Sequence, residues 1–199
     1  MLKQNQMNTI RDEVFDLKKS SLYKERIQNN YVPVIGEGSL DAEIIFIGEA
    51  PGKNEALTGK PFCGASGKVL DELLSYIKLQ RENVYVTNIV KDRPTQNRDP
   101  EPQEIDLYVP YLIRQIEIIK PKIIATLGRF SMEFILKHYG LESSLDTISK
   151  LHGNIFRINT NWGEVIIVPL YHPAVAVYNR TQLDVLKGDM SKLKKILNK

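Results

Sequence analysis

The sequence predicts an α/β fold, a three-layer α/β/α sandwich with a central four-stranded parallel sheet. Three observations lead there. Four short apolar runs rich in β-branched residues, at 43–47, 84–90, 122–127 and 165–170, have the continuous hydrophobic character of strands buried on both faces. Segments with apolar residues at helical spacing separate them. The 199 residues, 42% hydrophobic and 26% charged, suffice for one well-buried domain and are too few for two.

Along the chain, 8–28 reads as one helix, polar over much of its surface, within a helical N-terminal extension (1–35) packed on a single domain that spans 1–199. The first strand, 43–47, is followed by a helix over 66–77 that carries Val69, Leu70, Leu73, Leu74 and Ile77. The strand at 84–90 leads to a helix over 102–119 with Leu107, Leu112, Ile116 and Ile119 on one side. After the strand at 122–127 comes a helix over 130–139, and the last strand, 165–170, precedes a helix over 183–197. In that final helix Lys192, Lys194 and Lys195, with Lys199 beyond it, read as a solvated face. Strands alternating with helices of these lengths imply a parallel sheet covered on both sides.

Composition excludes several classes. No run approaches the ~20 apolar residues that cross a bilayer, so no membrane association is expected. The start, MLKQNQMNTIRDEVFDLKK, has no apolar stretch followed by small residues, so a cytoplasmic location is expected rather than secretion. A single cysteine, Cys63, rules out an internal disulfide and a cysteine-only metal cage, and no His/Asp/Glu group has ligand spacing, so no metal is expected. The net charge of +3 is compatible with a polyanionic partner without identifying one.

Ligands of open parallel sheets bind outside the carboxyl ends of the strands. The first strand runs into Gly48-Glu49-Ala50-Pro51-Gly52, with Pro61-Phe62-Cys63-Gly64-Ala65-Ser66-Gly67 close behind. The second ends at Thr87-Asn88 and continues through Lys91, Arg93 and Arg98; the third ends at Gly128; the fourth ends at His172-Pro173-Ala174. A carboxylate, an amide, an imidazole, a phenyl ring and several glycines thus meet at one edge. The nucleotide P-loop needs a glycine five residues before Gly-Lys, where Ile47 and Phe62 stand, and Gly36-Glu37-Gly38 has Asp41 in place of the third glycine of a dinucleotide loop. Nucleotide hydrolysis and NAD binding are therefore poor fits.

Gly48 to Gly52, Thr58-Gly59-Lys60-Pro61-Phe62 with Gly64 and Gly67, the run from Asn88 to Arg98, and His172-Pro173-Ala174 together resemble the family-4 uracil-DNA glycosylases. The similarity extends from about Gly36 to the C-terminal helix, with separated motifs in the family's order. It implies a monomer with a uracil-DNA glycosylase-like domain that flips uracil out of DNA and hydrolyses its N-glycosidic bond, leaving an abasic site. Gly48, Glu49, Ala50, Phe62, Asn88 and His172 would then hold the base. The Asn88 fork matches uracil O4 and N3–H, whereas cytosine presents the opposite pattern. Phe62 would stack on the flipped ring, or else serves the core. His172 would donate to uracil O2 as charge develops on the leaving base. Two roles fit Glu49: positioning the attacking water, or organising its loop by accepting backbone N–H groups.

For DNA, the resemblance points to Gly52, Gly64, Ser66 and Gly67 as places of close backbone approach, and to Lys91, Arg93 and Arg98 as phosphate contacts, with a solvated charged loop as the alternative for the three cations. The segment carrying Ala174, Val175, Tyr178 and Arg180 stands where the family inserts a wedge, with smaller residues at the tip. Family-4 enzymes hold a 4Fe–4S cluster on four cysteines, and matching the motifs puts Leu17, Ser20, Asp92 and Tyr108 at those positions. No cluster or other cofactor is therefore expected. A DNA-binding relative that recognises without cleaving, or one acting on another base, also fits the pattern.

Overall fold

Alternation along the strands sorts the apolar residues into two cores, one on each side of the sheet. The computed structural model describes residues 2–197; Lys199 lies outside them. In order the elements are α1 (Lys3–Phe15), α2 (Ser21–Gln28), β1 (Glu37–Gly38), β2 (Ile44–Gly48), α3 (Lys53–Thr58), α4 (Ala65–Tyr76), β3 (Tyr85–Asn88) and α5 (Pro102–Ile119). There follow β4 (Ile123–Leu127), α6 (Arg129–His138), α7 (Ile148–Leu151), β5 (Phe156–Thr160), β6 (Gly163–Leu170), α8 (Ala174–Tyr178) and α9 (Gln182–Leu197). Ile45, Ile47, Ile124, Val165 and Ile167 face the layer that holds α1, α2, α5 and α6. Ile44, Phe46, Ile123, Ala125, Ile166 and Val168 face the layer of α4 and α9.

The sheet order is β1-β3-β2-β4-β6-β5. Its centre, β3-β2-β4-β6, is the parallel quartet the four apolar runs predict. The sheet is nevertheless six-stranded, because β1 and β5 add antiparallel edges. Neither edge has a continuous apolar run: β1 is two residues long, and in β5 exposed Arg157 and Asn159 alternate with partly buried neighbours. One face of such a strand is solvated, so its pattern is weaker than that of a buried strand.

The predicted helix over 8–28 is two helices. Ser20 caps α2, its hydroxyl accepting the Leu22 N–H at 3.2 Å. Arg26 reaches back to the open C-terminus of α1, donating to the Val14 carbonyl at 3.1 Å and the Phe15 carbonyl at 2.5 Å. α5 starts at a capping box in which Glu101 and Glu104 satisfy each other's backbone donors, with Pro102 in its first turn. Its C-cap Lys120 takes the left-handed conformation at φ 57°.

The positions that the resemblance matches to cluster cysteines, Leu17, Ser20, Asp92 and Tyr108, lie in the break between α1 and α2, the turn after β3, and α5. Arg26 donates to both Asp92 oxygens at 3.2 and 3.1 Å, and the Tyr108 hydroxyl donates to Asp92 Oδ2 at 2.6 Å and contacts Ser20 Oγ at 3.0 Å. All of these side chains are buried, and Leu17 packs into the adjoining core. This set does not fit an iron–sulfur cluster: none of the four residues is a thiol, and the polar ones are already bonded to one another and to a guanidinium.

Arg26→Met should therefore strand a buried carboxylate and cost about 3–5 kcal/mol in chemical denaturation; a loss below about 1 kcal/mol, the range of an exposed pair, would deny the network its structural weight. Glu104 supplies an acid-stability test. Burial alone would raise its pKa, but hydrogen bonds from Arg98, Ser21 and the Glu101 N–H bring it down from 4.5 to about 2. Its contribution is full above pH 4.5 and fades as pH falls towards about 2. Glu104→Gln should flatten the stability–pH curve across that interval.

Candidate functional site

The four parallel strands deliver their carboxyl ends to one edge, and the tightest convergence is over Gly48, the last residue of β2. A Cβ built there would stand 2.4 Å from Asn88 Oδ1 and 2.7 Å from Phe62 Cζ, so only glycine lets these two side chains meet. Asn88 closes β3 directly beside Gly48 in the parallel register. It is 2% exposed, and among the described residues no hydrogen bond engages its side-chain amide. A buried amide with unspent donor and acceptor is suited to reading a ligand's edge.

Phe62 sits in a strained left-handed conformation, φ 49°. Glu55 holds the turn that follows, accepting the Cys63 N–H at 3.0 Å and the Gly64 N–H at 2.9 Å. Gly67 must lack a side chain, since a Cβ there would lie 1.7 Å from the Phe62 carbonyl oxygen. The ring is buried in the α4 core, with its edge over Gly48 and its centroid 5.6 Å from that of His172 at 30°. Core packing and site lining, alternatives in the sequence, are combined in one side chain.

His172 lies beyond β6 and is approached closely by Gly128 (φ 97°), where a Cβ would come within 3.3 Å of the His172 Cβ. Its Nδ1 accepts the Ala174 N–H at 3.1 Å, which places the ring proton on Nε2. Burial lowers its pKa to about 4, against a small opposing pull from Glu55. The imidazole is thus neutral near pH 7, with Nε2–H free to donate. Glu49 shows the converse effect. Burial and then the Asp99 charge raise its pKa to about 7, while Arg129 pulls it down. Asp99 and Arg129 pair at 2.9 Å. Among the described residues no backbone N–H donates to the Glu49 carboxylate; Glu55 performs that loop-holding task.

Lys91 requires a correction. It is 0% exposed and cannot present its ammonium to a phosphate, because its Nζ is turned inward onto Gln115, Asn88 and Thr87. Arg93 donates to Asn97 and Tyr31, and Arg98 grips Glu104 with two nitrogens at 2.8 and 2.7 Å, so both are partly spent on the fold. Gly52, Gly64 and Ser66 line the loops at the starts of α3 and α4, and Ala50 follows Glu49 at the same edge. Ala174 and Val175 begin α8, where Tyr178 is 90% exposed; Arg180 just beyond pairs with Glu72. Asp99 and Arg129 are the residues the sequence did not single out for this site. The one local hint was Arg129 directly after the strand-end Gly128.

Residues 35–198 match the profile of the uracil DNA glycosylase superfamily. The chain is 46% identical to the type-4 uracil-DNA glycosylase of Saccharolobus solfataricus over 96% of its own length and 87% of the relative's. It is 42% identical to that of Archaeoglobus fulgidus over 94% and 91%, and 37% identical to that of Thermotoga maritima over 83% of each chain.

The electrostatics of Glu49 can be checked without a ligand. Asp99→Asn should move the Glu49 titration, followed by carboxyl carbon NMR, below about 7, and Arg129→Gln should move it above. Unchanged midpoints in both variants would remove these two side chains from the account.

Proposed function

This chain belongs to the uracil DNA glycosylase superfamily, and we propose that it is a monofunctional DNA repair enzyme that excises uracil. The observation that carries the reading is the unspent Asn88 amide meeting Phe62 over Gly48, beside a neutral His172. Base flipping delivers uracil to this slot at a cost of a few kcal/mol. Asn88 reads O4 and N3–H, and Phe62 flanks the ring. The C1′–N1 bond breaks with its electron pair leaving on uracil, whose O2 receives the His172 Nε2–H hydrogen bond. Water adds to C1′, and its proton passes to the Glu49 carboxylate, whose pKa near 7 suits a base that must also release the proton.

Glycines 52, 64 and 67 and Ser66 would let the DNA backbone approach the starts of α3 and α4. Exposed Lys53, Lys60 and Lys68 flank these loops and take the phosphate role that Lys91 cannot fill. Arg93 and Arg98 would shape the neighbouring loop and contact phosphate with what their internal bonds leave free. Tyr178, with Ala174, Val175 and Arg180 around it, would press into the duplex. The bonded Ser20–Asp92–Tyr108–Arg26 set supports an enzyme that works without an iron–sulfur cluster. A monomer is the state the glycosylase resemblance suggests, and the single thiol suits the cytoplasm. Among the described residues no helix is long and apolar enough to cross a membrane.

A labelled oligonucleotide with one uracil tests the assignment. Alkali-cleavable abasic product is expected from the wild type and is expected to fall by at least about a hundredfold in Asn88→Ala and His172→Ala, as for loss of one transition-state donor. DNA binding without product in either strand context would sink the glycosylase reading. The excision rate should rise with pH through about 7 as Glu49 ionises, and Glu49→Gln should abolish that limb along with most of the rate. A wild-type profile flat from pH 5 to 9 would remove the general-base role.

A further inference from the structure

Lys91 is a fully buried lysine whose three hydrogen-bond partners are all uncharged. Its Nζ lies 2.6 Å from Gln115 Oε1, 2.7 Å from the Asn88 carbonyl oxygen and 2.8 Å from Thr87 Oγ1. Among the described residues no carboxylate forms an ion pair with it; the neighbouring Asp92 is engaged by Arg26. Burial pulls the Lys91 pKa well below its ordinary value of 10.5. The partners pull the other way. The Thr87 hydroxyl spends its proton on the Ile35 carbonyl at 2.7 Å. Gln115 turns its NH2 to the Ile35 carbonyl at 2.9 Å and the Tyr85 hydroxyl at 3.2 Å, which leaves Oε1 facing Lys91. Three acceptors therefore converge on one nitrogen. A neutral amine would aim its lone pair at an oxygen, whereas the ammonium supplies three donors.

A methionine or leucine would fill such a space without the desolvation cost. The location of the charge is what distinguishes a lysine. It sits directly behind Asn88, bonded to that residue's own carbonyl, on the far side of the slot formed with Gly48 and Phe62. No surface contact explains it, because the side chain has no exposed surface.

We infer that Lys91 is a positioning residue for uracil excision, fixing the Asn88 peptide and lending a buried positive charge to the pocket into which the anionic base departs. The inference rests on the glycosylase reading of the same site. It differs from the hydrogen bond assigned to His172 in acting through Asn88 and through space, without touching the base. In an interior of effective dielectric constant about 20, a nearby unit charge favours an anionic leaving base by at least about tenfold in rate.

The test compares leaving groups. In single-turnover reactions, wild type and Lys91→Met are given oligonucleotides with uracil or 5-fluorouracil, whose more acidic N1 makes it the better leaving group. Affinity is measured separately with the non-cleavable 2′-fluoro-2′-deoxyuridine. Lys91→Met should bind the non-cleavable DNA within about threefold of wild type yet lose at least about tenfold in uracil excision, and several times less with 5-fluorouracil. A merely structural role would lower both rates by the same factor or would weaken binding in step with the rate, and either result overturns the inference. So does an unchanged uracil rate. Should Lys91→Met fail to fold, Lys91→Gln, neutral but still a donor, carries the same comparison. Wild type that excises uracil while the two bases respond equally to the substitution would overturn the Lys91 inference alone; wild type that excises neither base would overturn the glycosylase reading as well.

Discussion

The turn leaving β3 buries an acid and a base in succession, and the site depends on how each is satisfied. Asp92 points towards the N-terminal helices and is matched by the Arg26 guanidinium and the Tyr108 hydroxyl. Lys91 points beneath the sheet edge and is matched by neutral oxygens. Neither group can leave its partners without paying heavily in desolvation, so the backbone between them has little freedom. Asn88 lies at the start of that turn, and the Val34 N–H donates to the Lys91 carbonyl at 2.7 Å, tying the segment before β1 to the same point. The base-reading role proposed for this amide needs this kind of rigid support.

Burial has opposite consequences for the two ionisable groups at the sheet edge. It raises Glu49 to about 7 and lowers His172 to about 4, because in each case it disfavours the charged form. One environment thereby yields a neutral donor and a carboxylate able to take up and release a proton near neutrality. The Asp99–Arg129 pair adjusts Glu49 from the side, since its two charges act on the carboxylate in opposite directions.

The positions that the resemblance matches to cluster cysteines are held together by hydrogen bonds and packing. Ser20, Asp92 and Tyr108 come from the α2 cap, the β3 turn and α5; the Tyr108 hydroxyl links Ser20 to Asp92, and Arg26 holds Asp92 from the other side. The same guanidinium closes the C-terminus of α1. One side chain therefore connects both N-terminal helices to the loop beside the base slot. Leu17 adds apolar packing to the arrangement.

The sequence by itself determined the parallel quartet, the limits of α4, α5, α6 and α9 to within a residue, and the set of side chains at the carboxyl edge, because strand and helix periods and strand-end motifs are local properties. α5 was legible to its ends since Pro102 and the Glu101–Glu104 box are local start signals. The edge strands were not, as β1 is too short and β5 too polar to leave an apolar run. The break between α1 and α2 depended on Arg26 reaching back across it, a contact set by packing rather than by periodicity. Only the tertiary structure decided that Lys91 turns inward, that Glu55 rather than Glu49 holds the Phe62 loop, and that Asp99 and Arg129 flank the carboxylate. A lysine in a basic loop looks the same in sequence whether it meets phosphate or Gln115. What separates the two cases is desolvation and the geometry of acceptors distant in the chain, and neither is written in local sequence.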